Sequence, residues 1–275
     1  MGHASRLRDL FAGHARGRIA AMGLFQVAKA IMPKVLLPSS LLRANTQRRT
    51  GNVVHGGPFA GMQFLDQPVW GAYIPKLLGT YELELHPLVE RMVASRPSHL
   101  IDIGGAEGYY AVGMLMRLPE LRVSVFERLE QGRRAIAQLA GMNHVPERLT
   151  VLGSCDPAGL SARLRETHAT ALISDVEGYE VELLDPALVP ELANVTMLVE
   201  VHDSKMPNCT ERVTQKFEAT HRIQHVSQQK RVIRDYPYRD VASVLFPSLV
   251  ERYGVNEFRN VGNAWVWLEP RSVST

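Results

Sequence analysis

Between His99 and Val201 short apolar runs alternate with helical stretches, and this constrains the fold more than any other feature of the chain. The runs fall at His99–Ile103, Leu121–Phe126, Leu149–Leu152, Ala171–Ser174 and Val195–Val201. Helical spacing marks Tyr109–Leu118, Gln131–Ala140, Ala158–Thr167 and Tyr179–Leu192, the last interrupted by Pro186. A strand that is apolar on both sides is covered on both faces, so repeated strand–helix units predict a parallel sheet between two layers of helices. The expected fold is a Rossmann-like, doubly wound α/β domain.

The flanks read differently. Residues 4–36 have the spacing of one or two amphipathic helices, 44–62 are polar and Gly-rich and read as a loop or a short irregular strand, and 80–95 predict a helix that kinks or begins at Pro87. Glu211–Ala219 reads as helix, His221–Gln228 as strand, and Ala264–Leu268 (AWVWL) as a closing strand. The expected division is a basic helical arm over residues 1–60 and a catalytic domain over 61–275, with an insertion at 230–263 before the last strand. Residues 1–50 hold nine Lys and Arg against Asp9 alone, a net +8, leaving −5 on the rest of a chain whose total is +3. Cys155 and Cys209 are the only cysteines, so no disulfide framework exists and a reducing compartment, the cytoplasm, is expected. The best apolar stretch, Ala20–Leu42, is broken by Gln26, Lys29, Pro33, Lys34 and Pro38 and does not read as a membrane span.

The first predicted strand runs into LIDIGGAEGYYA, which places Asp102, Gly104, Gly105, Glu107 and Gly108 on a strand-to-helix turn. Open α/β sheets bind ligands at that edge. A dinucleotide would ask for G-x-G-x-x-G facing a pyrophosphate. Here the string is G-G-A-E-G with acids before and inside it, which repel phosphate but suit a sulfonium and an ammonium. Glu127, 25 residues after Asp102, ends the second strand where an acid can accept from two ribose hydroxyls. The set favours S-adenosylmethionine over a nicotinamide dinucleotide.

These residues resemble motif I of class I methyltransferases. DIGGAEGYYAVG together with SDVEGYEVELL and VEVHD resembles, more narrowly, the FkbM-type family; the likeness covers residues 80–203 and hardly touches the first 50. The resemblance implies a mostly parallel seven-stranded sheet with a final antiparallel strand, S-adenosylmethionine as cofactor, and methyl transfer to a hydroxyl of a sugar, lipid-linked or secondary-metabolite acceptor. Ala106 departs from it, standing where many such enzymes have glycine.

On that frame Ser154, Cys155 or Asp156, after the third strand, would meet the adenine. Asp175 closes the fourth strand, and Glu200 and His202 project to one side of the fifth. His202 is expected as general base for the acceptor hydroxyl, oriented by Glu200 or Asp175. No metal is expected, although Asp175, Glu200 and His202 could also chelate a divalent ion. Tyr236, Tyr238, Phe246, Tyr253 and Phe258 in the insertion either line the acceptor pocket or form a core of their own. The arm could act as a lid, dock a second subunit to make a homo-oligomer, or rest on anionic lipid. Nucleic acid is not an expected partner, because no basic stretch is interleaved with aromatics and no N/D-P-P-Y/F string follows the fourth strand. The competing readings are a catalytically silent cofactor-binding scaffold and a nicotinamide-dependent oxidoreductase.

Overall fold

The computed structural model describes residues 38–67, 70–259 and 262–271. Residues 4–36 lie outside the described residues. The chain divides into a unit ending at Asn45 and a second, Thr46–Thr275, which holds the sheet. Among the described residues no helix is long and apolar enough to cross a membrane.

Seven strands form one sheet: β1 (His99–Ile103), β2 (Arg122–Phe126), β3 (Leu149–Leu152), β4 (Ala171–Ser174), β5 (Thr196–His202), β6 (His221–Ser227) and β7 (Asn263–Pro270). Their order is β3-β2-β1-β4-β5-β7-β6. The first five are parallel neighbours, and β7 runs antiparallel between β5 and β6. This is a Rossmann-like, doubly wound, mostly parallel sheet with a final antiparallel strand. Every residue of β1 and β4 is buried, as central strands require, whereas the edge strand β6 alternates and stays largely polar. The chain leaves β1 toward β2 and β3, then returns to the opposite side of β1 for β4. That reversal opens a crevice beyond the carboxyl ends of β1 and β4.

Three sequence expectations change. The helix expected over Tyr179–Leu192 is a single turn, Glu180–Leu183, followed by a 3-10 segment at Pro190–Asn194. Pro186 lacks an N–H and pushes Asp185 out of helical geometry, so the helix stops just before it. Residues 44–50, read as loop, complete the helix Pro38–Thr50, and the irregular part that follows is pinned by a bridge between Val53 and Gln63. Residues 46–60, assigned from sequence to the arm, belong to the sheet-bearing unit. Phe59 explains why: it stacks edge-on against Tyr109 and Tyr110, and a Cβ on Gly113 would lie 2.4 Å from its ring. The predicted break at Pro87 is present, with a 3-10 turn at Leu83–Leu85 and the helix proper at His86–Ala94.

Candidate active site

The turn after β1 is built by close packing. Gly104 has φ +83°, and a Cβ there would sit 1.8 Å from the carbonyl oxygen of Asp175. The end of β4 can therefore close against this turn only if residue 104 has no side chain. A Cβ on Gly105 would strike Val125 on β2 at 2.2 Å. Ala106 takes a left-handed φ of +49°, unfavourable for an L-residue with a side chain. Its N–H donates to Oε2 of Glu127 at 3.0 Å, a contact that holds it there. That bond explains how alanine serves where relatives of the motif carry glycine.

Two cavities meet at the turn. The larger, about 700 Å³, is lined by Trp70, Gly104, Ala106, Glu127, Ser154, Cys155 and Asp175 among others. The smaller, about 50 Å³, lies behind it between Lys76, Tyr81, Asp102, Glu107, Tyr109 and Asp175. Glu127 stands at the larger cleft with both oxygens committed to backbone, accepting from Ala106 and, at 2.7 Å, from Leu129. Asp102 and Glu107 border the inner cavity instead. Asp102 is buried; burial and then the Glu127 charge push its pKa to about 7, against a smaller lowering by the N–H of Ala111. Glu107 is buried in an ion pair with Lys76, and its other oxygen, Oε2, has no partner. Gly108 is the residue that enters the following helix, at φ +92°.

The residues after β3 separate. Ser154 and Cys155 line the cleft. The Cys155 thiol, pushed to about 12 by burial and by Asp156, is neutral at physiological pH. Asp156 is not at the cleft wall: its Oδ1 accepts from Gly159 N–H at 2.7 Å as N-cap of the helix Pro157–Thr167. An aspartate followed by proline at a helix start is the capping signal that could have shown this.

Asp175, Glu200 and His202 do come together, with one candidate ligand atom from each lying within 4.8 Å of the others. His202 is buried, and Glu180, not Glu200 or Asp175, orients it. The Nδ1 of His202 lies 2.6 Å from Oε1 of Glu180, a fully buried carboxylate. Glu180 is held below its usual range despite burial, by the His202 hydrogen bond and by N–H donors at Gly178 and Glu180. It is ionised and only accepts, so Nδ1 carries the proton and Nε2 the lone pair. Nε2 faces Asp175 Oδ1 at 3.5 Å, Glu177 Oε2 at 3.6 Å and Glu200 Oε2 at 4.0 Å. Burial opposes protonation of this ring, but the Glu180 bond and the Glu200 and Glu177 charges outweigh it and move its pKa upward. Asp175 keeps 38% of its side chain exposed while Oδ1 is buried and unpartnered. Burial and then the charges of Glu200, Glu82 and Glu177 drive its pKa well above the carboxylate range.

The insertion reaches the site through charge, not aromatics. None of Tyr236, Tyr238, Phe246, Tyr253 or Phe258 lines either cavity. Tyr236 and Tyr238 stack on each other 5.6 Å apart, and Phe246 and Phe258 are 55% and 65% exposed. Arg259 instead donates to Oε1 of Glu200 at 2.5 Å and reaches Glu82 at 3.2 Å and Glu84 at 3.5 Å. Arg231 bridges Glu84 and Glu257 beside it. Sequence reasoning missed Lys76, Glu82, Glu180 and Arg259. All four are charged yet buried or nearly so, and only tertiary structure reveals that.

No family model matches the chain, and no curated protein does. Similar solved structures include the C-terminal domain of precorrin-6Y C5,15-methyltransferase from Rhodobacter capsulatus (13% identity, 68% of this chain and 89% of that one, TM-score 0.42). The O-methyltransferase from Bacillus cereus in complex with SAH is similar at 10% identity (74% and 89% covered, TM-score 0.43). So is the O-methyltransferase TomG from Streptomyces achromogenes in complex with SAM (10%, 74% and 88%, 0.43). Similarity at this level transfers neither ligand nor substrate.

Proposed function

We propose that this chain is an S-adenosylmethionine-dependent methyltransferase acting on a hydroxyl of a sugar, lipid-linked or secondary-metabolite acceptor, in the manner of the FkbM-type family it resembles. One observation carries the reading: a glycine turn at the switch point of a parallel sheet has Glu127 at its larger cleft and the acids Asp102 and Glu107 at the inner cavity. Negative charge there repels phosphates and favours a cationic cofactor.

The residues present fit that cofactor. Glu127, whose oxygens each keep a free lone pair, would take the ribose hydroxyls at the larger cleft. Behind the turn, Lys76 stands beside the unpartnered Oε2 of Glu107 and the raised carboxyl of Asp102. A zwitterionic amino-acid end meets both of its charges there. Ser154 and Cys155 border the space left for the base.

Bound at this turn, the cofactor supplies an electrophilic methyl group. The chain supplies proximity and alignment, which are worth several kcal/mol in a displacement of this kind. Asp175 lines both cavities and so marks the junction between cofactor and acceptor. The hydroxyl proton is lost at the cluster of Asp175, Glu200 and His202, on the acceptor side.

The test is transfer of labelled methyl from S-adenosylmethionine to hydroxylated acceptors. An ether methyl that survives mild base is the expected product. Base-labile label would mean a carboxyl acceptor. Tight S-adenosylhomocysteine binding with no transfer to any acceptor would favour the silent scaffold.

A further inference from the structure

The arrangement around His202 is unusual for a site without a cation. The Nε2 of His202 faces three carboxyl oxygens, of Asp175, Glu177 and Glu200, at 3.5, 3.6 and 4.0 Å. None of the three lies at ordinary hydrogen-bond distance from it. Two ligands each about 2.1 Å from a shared ion stand about 3.0–3.5 Å apart at octahedral to tetrahedral angles. The Asp175 and Glu177 oxygens stand close to that spacing from Nε2, and the whole set, within 4.8 Å, would draw together around an ion.

Two further features match a metal centre. The carboxylate of Glu180 holds the far ring nitrogen at 2.6 Å, which fixes the tautomer and aims Nε2, as partners of ligating histidines do. Glu200 is prepared in the same way: Arg259 occupies Oε1 at 2.5 Å and leaves Oε2 toward His202. The buried Oδ1 of Asp175 makes no hydrogen bond, although such an atom is costly to leave unmatched. Lys205 is half-exposed and reaches Glu177 at 3.6 Å.

We infer that Asp175, Glu200 and His202, with Glu177 at the margin, form a divalent-cation site at the mouth of the cleft. Oxygen ligands with one imidazole suit Mn²⁺ and Mg²⁺, and the imidazole favours Mn²⁺ of the two. His202 is then a ligand in place of the general base expected from sequence, and Glu180 is its positioning residue. The site stands whether or not the cleft takes S-adenosylmethionine.

The probe is Mn²⁺ alone, added to the full chain and followed by loss of the free-ion paramagnetic resonance signal. The expected result is one ion bound per chain, displaced by excess Mg²⁺. Affinity should fall about tenfold or more in Asp175→Asn and in Glu180→Gln, by analogy with losses on removing ligands and their partners elsewhere. Glu177→Gln, at a 66% exposed position that tolerates substitution, should weaken binding less. Glu147→Gln, outside the site, should leave it unchanged. A free-ion signal equal to that of buffer in the presence of folded wild-type chain would overturn the inference. So would binding that Asp175→Asn and Glu177→Gln both leave untouched. Neither outcome bears on methyl transfer, which is assayed without Mn²⁺.

Discussion

Glu180 and His202 are 22 residues apart in sequence and 2.6 Å apart in space, and this contact fixes which ring nitrogen of His202 faces Asp175, Glu177 and Glu200. Replacing Glu180 by Gln keeps the volume but allows an amide N–H to donate to Nδ1, which moves the ring proton to Nε2. Methyl transfer should fall about 10–100-fold through kcat, as for other partners of working histidines. Affinity for S-adenosylhomocysteine should be unchanged. A variant that loses both, with an intact fold by circular dichroism, would mean that Glu180 serves the cofactor cleft instead.

Lys76 and Glu107 form a buried pair, so removing one partner strands the other. Lys76→Met should cost about 3–5 kcal/mol in chemical denaturation. The double variant Lys76→Met/Glu107→Gln should recover much of that loss, because no charge is left buried alone. Recovery of cofactor binding is not expected, since both groups face the inner cavity. Additive losses in the double variant would contradict the pairing.

Two glycines at the cleft should respond in opposite ways. Gly104→Ala drives a Cβ into the Asp175 carbonyl and demands an unfavourable φ, so it should lower the melting temperature sharply and abolish binding. Gly153 also lines the cleft, but a Cβ there meets nothing within 4 Å. Gly153→Ala should melt like the parent while binding cofactor more weakly, because its methyl enters the ligand's space.

Two buried groups should make opposing contributions to the pH dependence of stability. Asp102 is raised to about 7, first by burial and then by Glu127, against an unfolded value near ~3.9. The folded chain therefore holds this proton more tightly, and the stability it gives is complete at acid pH and lost as pH rises through about 7. His99 shifts the other way: burial, then Arg163 and Arg122, lower it to about 4 from about 6.5 in the unfolded chain. Its contribution is present above about 6.5 and lost as pH falls toward 4. Urea titrations from pH 4 to 9 should show that Asp102→Asn removes the decline between about pH 4 and 7, leaving the opposing rise from His99 over about pH 4 to 6.5. An Asp102→Asn chain less stable than the parent at pH 8 would show that the carboxylate is not under strain in the absence of ligand.

Arg259 ties the end of the insertion to Glu200 and Glu82. Arg259→Ala should speed hydrogen exchange across residues 230–259 and at β7 while sparing β1 to β3. Exchange that rises uniformly over the sheet would mean that the contact supports the whole fold and not this segment.

How much of this was legible in advance follows from what sets each feature. Strand positions were readable because β1 and β4 are buried on both faces and carry unbroken apolar runs. The closing strand was readable from the alternation in AWVWL, and the glycine turn from its place between strand and helix. The short helix at Glu180 was overestimated because apolar spacing continues past Pro186 while the backbone cannot. Asp175, Glu200 and His202 lie close together because the ends of β4 and β5, neighbours in the sheet, share its edge. Glu180, Lys76 and Arg259 were not seen. Each is a charged residue drawn inward by a partner far away in sequence, and periodicity carries no trace of such pairs. For the aromatics of the insertion, aromatic content alone leaves pocket lining and a local core both open; none of them lines either cavity, and Tyr236 and Tyr238 pack edge to face.

The central claim is that the cleft at Gly104, Glu127 and Asp175 takes S-adenosylmethionine. Titration calorimetry of the full chain with S-adenosylhomocysteine and, separately, with NAD tests it most directly. One equivalent of S-adenosylhomocysteine should bind, with affinity falling about tenfold or more in Glu127→Ala as two ribose hydrogen bonds to a charged acceptor are lost, each worth about 1.5 kcal/mol or more. Binding of NAD with no heat from S-adenosylhomocysteine would contradict the account.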